Sequence, residues 1–174
     1  MATLQAVELG VLGPLEVRQH GALVTIPGAK PRAILTMLGL HGGSVVPADA
    51  FVELLWSEDP PRTAAKALQT HISSLRRTLG DGFVVTEGSG WTLAGAEIDA
   101  LRYRSAARLG RDAVATGDTS RAVAAFEEAL GLWRGLPELP DSRRGASEKT
   151  RWIEGHAALV EDRADALLAT GRAA

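Results

Sequence analysis

Arg62, Lys66, Arg76 and Arg77 share one stretch of chain with Gln69, Thr70, His71, Ser73 and Ser74, and no carboxylate falls anywhere from Arg62 to Leu79. Cations, hydroxyls and an amide gathered without acid are the groups that neutralise phosphates and hydrogen-bond to base edges. The same residues carry Ala65, Leu68, Ile72, Leu75 and Leu79 at steps of three and four. At 3.6 residues per turn that spacing makes a single apolar stripe, so the segment reads as one amphipathic helix. With Leu68, Ile72 and Leu75 inward, Ala67, Thr70 and Ser74 lie outward. Ala67 and the Thr70 methyl can touch a thymine methyl group, and the hydroxyls of Thr70 and Ser74 can bond to several bases. Arg62, Lys66, His71, Arg76 and Arg77 suit phosphate contacts along the flanks, with Ser73 a further hydroxyl among them. The plainer alternative is an amphipathic surface helix with a solvated charged face and His71 lying along whatever follows it.

Other chemistries find little support. Gly88-Ser89-Gly90 lacks the long strand before it and the Lys-Ser/Thr after it that a phosphate-cradling loop needs, and serves equally as a hairpin tip. His20, His41, His71 and His156 are scattered and have no sequence neighbour arranged as a nucleophile or metal partner. Glu127-Glu128 and Glu161-Asp162-Arg163 fall on helices that also carry arginine, where solvated ion pairs outrank an acid-base pair. With no cysteine there is no thiolate chemistry and no disulfide framework. The chain reads as a non-enzyme with no cofactor and no metal.

A hydrophobic content of 45% and a charged content of 23% are those of a soluble globular protein. No apolar run is long enough to span a bilayer, and Met1-Ala2-Thr3-Leu4-Gln5 has no basic region feeding an apolar stretch. A cytoplasmic location is expected. Net charge is −2, and neither half is basic: residues 1–95 hold seven Lys/Arg against eight Asp/Glu, residues 96–174 twelve against thirteen. Affinity for nucleic acid must therefore come from one patch and weaken as salt rises.

The elements that would position this patch follow from periodicity. Val7, Leu9 and Val11 alternate, Leu15 and Val17 resume after Gly13-Pro14, and His20-Gly21 turns into Leu23-Val24-Thr25-Ile26. Three short strands need cover, which a helix opened by Lys30-Pro31 supplies through Ala33, Ile34, Met37 and Leu38. Val45-Val46 is a bridging strand, and Phe51, Leu54, Leu55 and Trp56 mark a second short helix. Asp59-Pro60-Pro61 separates it from the basic helix. Phe83-Val84-Val85-Thr86, a turn, and Trp91-Thr92-Leu93 form a hairpin, and Trp56 and Trp91 read as core. A basic helix followed by a hairpin is how a winged helix-turn-helix meets a DNA groove. From Asp99 onward only helical periodicity appears: Leu101–Thr116, Ser120–Arg134 and about Ser147–Thr170. The first two are about one repeat of a helical-hairpin array, and the third is followed by a turn signal at Gly171. Trp133 is expected to pack against the third helix near Trp152, while Ala166-Leu167-Leu168-Ala169 leaves an incompletely covered terminal face.

Val11-Leu12-Gly13-Pro14-Leu15-Glu16-Val17, Pro27-Gly28-Ala29-Lys30-Pro31-Arg32-Ala33-Ile34-Leu35, Leu54-Leu55-Trp56, the run Ala67–Gly80 and Gly90-Trp91-Thr92-Leu93 together resemble the Streptomyces antibiotic regulatory proteins, the AfsR/DnrI/EmbR group. Gly117-Asp118, Ala122, Phe126, Ala129-Leu130 and Leu132-Trp133-Arg134-Gly135 resemble the first hairpin of that group's activator domain. The resemblance implies an α+β winged helix-turn-helix of the OmpR type over residues 1–95, with a three- to four-stranded N-terminal sheet, three helices and a C-terminal hairpin. An all-α, TPR-like and shortened bacterial transcriptional activator domain is implied over 99–174. It further implies an activator of a secondary-metabolite gene cluster that binds direct repeats of double-stranded DNA and engages RNA polymerase holoenzyme. Arg62–Leu79 would be its recognition helix and Phe83–Leu93, with Gly90, its wing; a homodimer through the helical part and no membrane partner go with this reading. Ser74 stands where many relatives carry a base-reading arginine. That departure keeps open a second reading, a protein-binding or architectural winged helix with weak or lost DNA reading. A positive face running unbroken into the wing favours DNA; interruption by Asp81 or Glu87 favours protein.

Overall fold

Val7 and Leu9 point inward from the first strand while Glu8 points to solvent, the period-two pattern of a sheet with one wet face. The computed structural model describes residues 7–172, so the N-terminal Met1–Gln5 and the last two alanines lie outside the described residues. Strand β1 (Val7–Gly10) pairs antiparallel with β2 (Glu16–Gln19), which pairs with β3 (Ala22–Leu23). Its other edge takes β7 (Ala96–Ile98) in parallel, Leu9 opposite Ile98, giving the order β3-β2-β1-β7. A three-residue strand has too short a pattern to declare itself in sequence, and only the three N-terminal strands are legible there. Val24–Ile26 follow β3 as extended chain outside the sheet.

Helix α1 (Ala29–Leu40) is buried on almost every side, from Pro31 through Leu40 except Arg32. A helix apolar all round belongs inside, and this one lies against α2 (Ala48–Trp56), α3 (Ala64–Leu79) and the helix that begins at Asp99. Phe51, Leu54, Leu68, Ile72, Leu75 and Val84 complete the core around it. Strands β4 (Val46–Pro47), β6 (Gly90–Leu93) and β5 (Val84–Glu87) form the second sheet, with Trp91 buried edge-on to Phe51 at 5.9 Å. Trp56 is instead half-buried, its ring covered by the Lys30 ammonium at 4.5 Å.

Helices α4 (Asp99–Ala115) and α5 (Thr119–Gly131) form an antiparallel hairpin. Asp118 caps α5 by accepting from the Arg121 N–H at 3.1 Å. Gly110 lets the Phe126 ring lie directly on α4, where any Cβ would collide with it. Helix α6 (Arg143–Arg172) starts earlier than its periodicity indicates, because Ser142 Oγ accepts from the Gly145 N–H at 3.1 Å and opens the helix. It then runs through Gly171 without the expected turn. Of its apolar residues Leu159 and Ala166 are buried, Trp152 is half-buried, and Ala157, Val160, Ala164, Leu167 and Leu168 are exposed. Trp133 stacks on His156 of α6 at 4.3 Å, with Tyr103 between it and Trp152. The acidic pairs on these helices are ion-paired: Glu127 with Arg163, Glu128 with Arg102, Asp162 with Arg111.

The loop from Val11 to Leu15 has backbone groups that no strand can satisfy, and the helical part supplies their partners. Asp99 at the start of α4 accepts from the Val11 N–H at 2.9 Å and the Leu12 N–H at 3.0 Å. The Arg134 N–H donates to the Leu12 carbonyl at 2.8 Å, and its guanidinium to the Pro14 carbonyl at 3.1 Å. Glu138 accepts from the Leu15 N–H at 3.0 Å and from Arg32 Nε at 2.6 Å. Arg144 and Glu148 of α6 approach Glu53 and His41 at 3.5 and 3.2 Å. The winged and helical parts thus meet through a polar joint.

Candidate nucleic-acid interface

Helix α3 is held by Ala64, Leu68, Ile72, Leu75 and Leu79, all buried against α1, α2 and β5. Removing one such Leu or Ile side chain typically costs about 2–5 kcal/mol, so the orientation of this helix is strongly fixed. Ala64 rather than Ala65 opens the apolar stripe; Ala65 is exposed, and Arg62 lies in the turn before the helix. The first helical residue is therefore two later than the spacing alone suggested.

This choice of stripe sets the outward face. Lys66, Thr70, Ser73 and Arg77, at steps of four, three and four, are all exposed and form its centre line. Exposed Arg62 continues that line beyond the helix start. Ala67, His71 and Ser74 lie on one half-buried flank, so Ser74 is less outward than its spacing implied. Gln69, counted from sequence among the polar residues of the helix but given no contact of its own, is exposed beside Thr70, where its amide can bond bidentately to adenine. The Thr70 hydroxyl donates to the Lys66 carbonyl at 3.0 Å. It therefore offers solvent an acceptor lone pair and a methyl group.

Arg76 is committed elsewhere. Its Nε donates to the Val84 carbonyl at 2.7 Å and an Nη to Thr86 Oγ1 at 2.8 Å, pinning α3 to strand β5. Three of its five N–H groups remain free to meet an anion. Gly90 is buried, and a Cβ there would collide with the Val46 carbonyl. Its place in the wing is to let β4 and β6 approach, which the sequence reading as a contact residue did not foresee. The Ser89 carbonyl at the hairpin tip accepts from the Ala48 N–H at 3.1 Å, tying the wing to the start of α2.

His71 is held below the ordinary histidine range by partial burial and by the positive charge of Lys30. Lys30, read from sequence only as part of a helix start, thus stands within electrostatic reach of the α3 flank and adds a cation there. At the other end, Ser73, Arg76, Arg77, Gly80 and Asp81 line an open hollow of about 450 Å³. Asp81 and Glu87 are exposed, so carboxylates border the positive face at the end of α3 and at the wing. Among the described residues no cluster of three or more His, Cys, Asp or Glu could hold a metal ion, and no helix is long and apolar enough to cross a membrane.

Residues 26–90 match the family described as transcriptional regulatory protein, C terminal, and residues 98–174 match the bacterial transcriptional activator domain. The chain is 37% identical over 183 residues to the transcriptional regulatory protein MoaR1 of Mycobacterium bovis, covering 98% of this chain and 58% of that one. It is 30% identical over 184 residues to the regulatory protein DnrI of Streptomyces peucetius, covering 95% and 66%. The solved structure of Mycobacterium tuberculosis EmbR in complex with a low affinity phosphopeptide superposes with a TM-score of 0.84 at 28% identity, over 97% of this chain and 47% of that one. That likeness extends across both the winged and the helical parts. The chain thus spans about half to two thirds of the length of these three relatives.

Proposed function

We propose, for a chain that belongs to the Streptomyces antibiotic regulatory protein family, that it is a sequence-specific DNA-binding transcriptional regulator acting as an activator. The winged unit, residues 1–95, carries the reading and the helical unit, 99–174, the output. Helix α3 enters the major groove and the β5–β6 wing lies on the neighbouring backbone. The observation that carries this reading is the exposed line Lys66–Thr70–Ser73–Arg77 over a fully buried apolar face. Lys66 and Arg77 contact phosphates, with Arg62 and Lys30 beside them. Gln69, Thr70 and Ser73 approach base edges, with Ala67 and Ser74 at the margin. One such helix with few cations binds modestly, so two copies sit head to tail on direct repeats. They engage RNA polymerase holoenzyme in the cytoplasm, at the promoters of a secondary-metabolite gene cluster. A homodimer through the open face of α6 supports that pairing. No catalysis is part of this role.

Fluorescence anisotropy of a labelled duplex across a salt series tests the interface. Lys66→Ala and Arg77→Ala should each weaken binding to all duplexes about equally and flatten the logarithmic salt slope by about one. Slopes identical to wild type for both variants would remove α3 from the contact. The position of Asp81 in the same hollow as Arg76 and Arg77 favours a second reading, a winged module that binds protein. Absence of any duplex binding at low salt would select it.

A further inference from the structure

On the helical part, α4 and α6 face each other across a groove of about 500 Å³ whose walls are unusually basic for this chain. Arg104, Arg108 and Arg111 line it from α4 and Arg151 from α6, against a single lining carboxylate, Glu148. Glu148 is already engaged: it is buried and lies 3.2 Å from His41, 3.5 Å from Arg144 and 3.7 Å from Arg151. Arg111 is braced by Asp162 at 2.8 Å through Nε alone, which leaves its terminal N–H groups available. Arg108 is exposed and makes no ion pair among the described residues. Arg104 donates to the Gly42 carbonyl at 3.4 Å and lies over the Trp152 ring at 5.9 Å. Leu40, Ala107 and Trp152 add apolar wall, and at Gly155 an added Cβ would meet open space.

We infer that this groove binds an extended acidic segment of a partner protein, a site separate from the face of α3. Along α4 the rise from Arg104 to Arg108 is about 6 Å and to Arg111 about 10 Å. Carboxylates at every second residue of an extended chain lie on one side of it and stand about 6.8 Å apart. The Arg104–Arg108 step therefore matches successive acidic side chains on one side of a strand-like peptide, whose alternate apolar side chains face the other way, toward Trp152 of α6. A nucleotide fits less well, because Arg104 covers one side of the Trp152 ring and Tyr103 meets it edge-on at 5.7 Å. The groove, the charge complementarity and the spacing together carry the assignment.

The test is anisotropy of a fluorescein-labelled octapeptide alternating Asp and Leu, titrated with the full chain, beside the same peptide with Asn for Asp. The Asp peptide should bind in a salt-sensitive manner and the Asn peptide at least tenfold more weakly. Arg108→Glu, at an exposed position, and Gly155→Glu, which fills open space in the groove, should each reduce Asp-peptide affinity at least tenfold. Their melting temperature and duplex binding should match wild type. Equal binding of the Asp and Asn peptides overturns the proposal. So does unchanged affinity in both folded variants, and so does displacement of the peptide by ATP at lower concentration than by unlabelled peptide, which would make the groove a nucleotide site.

Discussion

Arg76 and Arg77 are neighbours in sequence with different work. Arg77 is exposed and makes no ion pair among the described residues, whereas Arg76 spends its guanidinium on Val84 and Thr86. Arg77→Ala should leave the melting temperature unchanged while flattening the salt slope of duplex binding. Arg76→Ala should in addition cost about 1–2 kcal/mol of stability in denaturant melts, since it leaves the Val84 carbonyl short of a donor. Equal stability of the two variants would show that the wing does not depend on Arg76. His71 gives a pH signature. Its folded pKa lies below its unfolded value, so its neutral form is favoured by folding, and the stability this provides is present above about pH 6.5. It is lost as pH falls through the depressed value. Wild type should therefore lose stability relative to His71→Gln between pH 7.5 and 5, and parallel stability curves would contradict that. At this scale spacing alone revealed Leu68, Ile72 and Leu75 as inward and Thr70 as outward. It misjudged Ala67 and Ser74 because two adjacent alanines can each begin the stripe, and packing chose Ala64.

Among the elements, the joint between the winged and helical parts was the least legible. Val11-Leu12-Gly13-Pro14-Leu15 stands out as a motif, yet nothing local says that its N–H groups belong to Asp99, 88 residues away, or to Glu138. Asp99→Ala leaves the Val11 and Leu12 N–H groups without their carboxylate, and should cost about 2–3 kcal/mol. Glu138 is held below the ordinary glutamate range by the hydrogen bond from Arg32, against a desolvation penalty, with the Leu15 N–H and the Arg32 charge assisting. Its contribution is thus present above about pH 4.3 and disappears as pH falls through the depressed value. Glu138→Gln should be less stable than wild type at pH 7, with the difference closing in acid; a constant difference would contradict the pairing. The long helix α6 was seen as apolar, but a 3.6-residue period in a helix rich in alanine does not say which side is covered. The wing was readable because Gly88-Ser89 sits between two alternating runs, a tight-turn signal with a local cause.

For the whole molecule, the polar joint means that the outer face of α6 and the reading face of α3 belong to parts fastened together. That face exposes Ile153, Val160 and Leu167 at intervals of seven, with Leu168 beside them. Seven residues is two helical turns, so these side chains lie in one row along a single side of the helix. Sedimentation should give a dimer at high micromolar concentration and a monomer for Val160→Glu. A wild-type monomer with fully protected amides over residues 160–170 would contradict pairing through α6. If pairing is head to tail on DNA, adjacent half-sites should be centred about one helical turn, 10–10.5 bp, apart or a multiple of it.

The most direct measurement is selection from a random duplex pool, at low salt and near 0.15 M, with wild type, Arg77→Ala and Gln69→Ala. A reader of DNA through α3 should enrich a repeated short sequence. Arg77→Ala should recover the same sequence more weakly, and Gln69→Ala should lose preference at one base pair per half-site, worth about 1–3 kcal/mol. Recovery of no enriched sequence by wild type at either salt would contradict the assignment of α3 as a recognition helix.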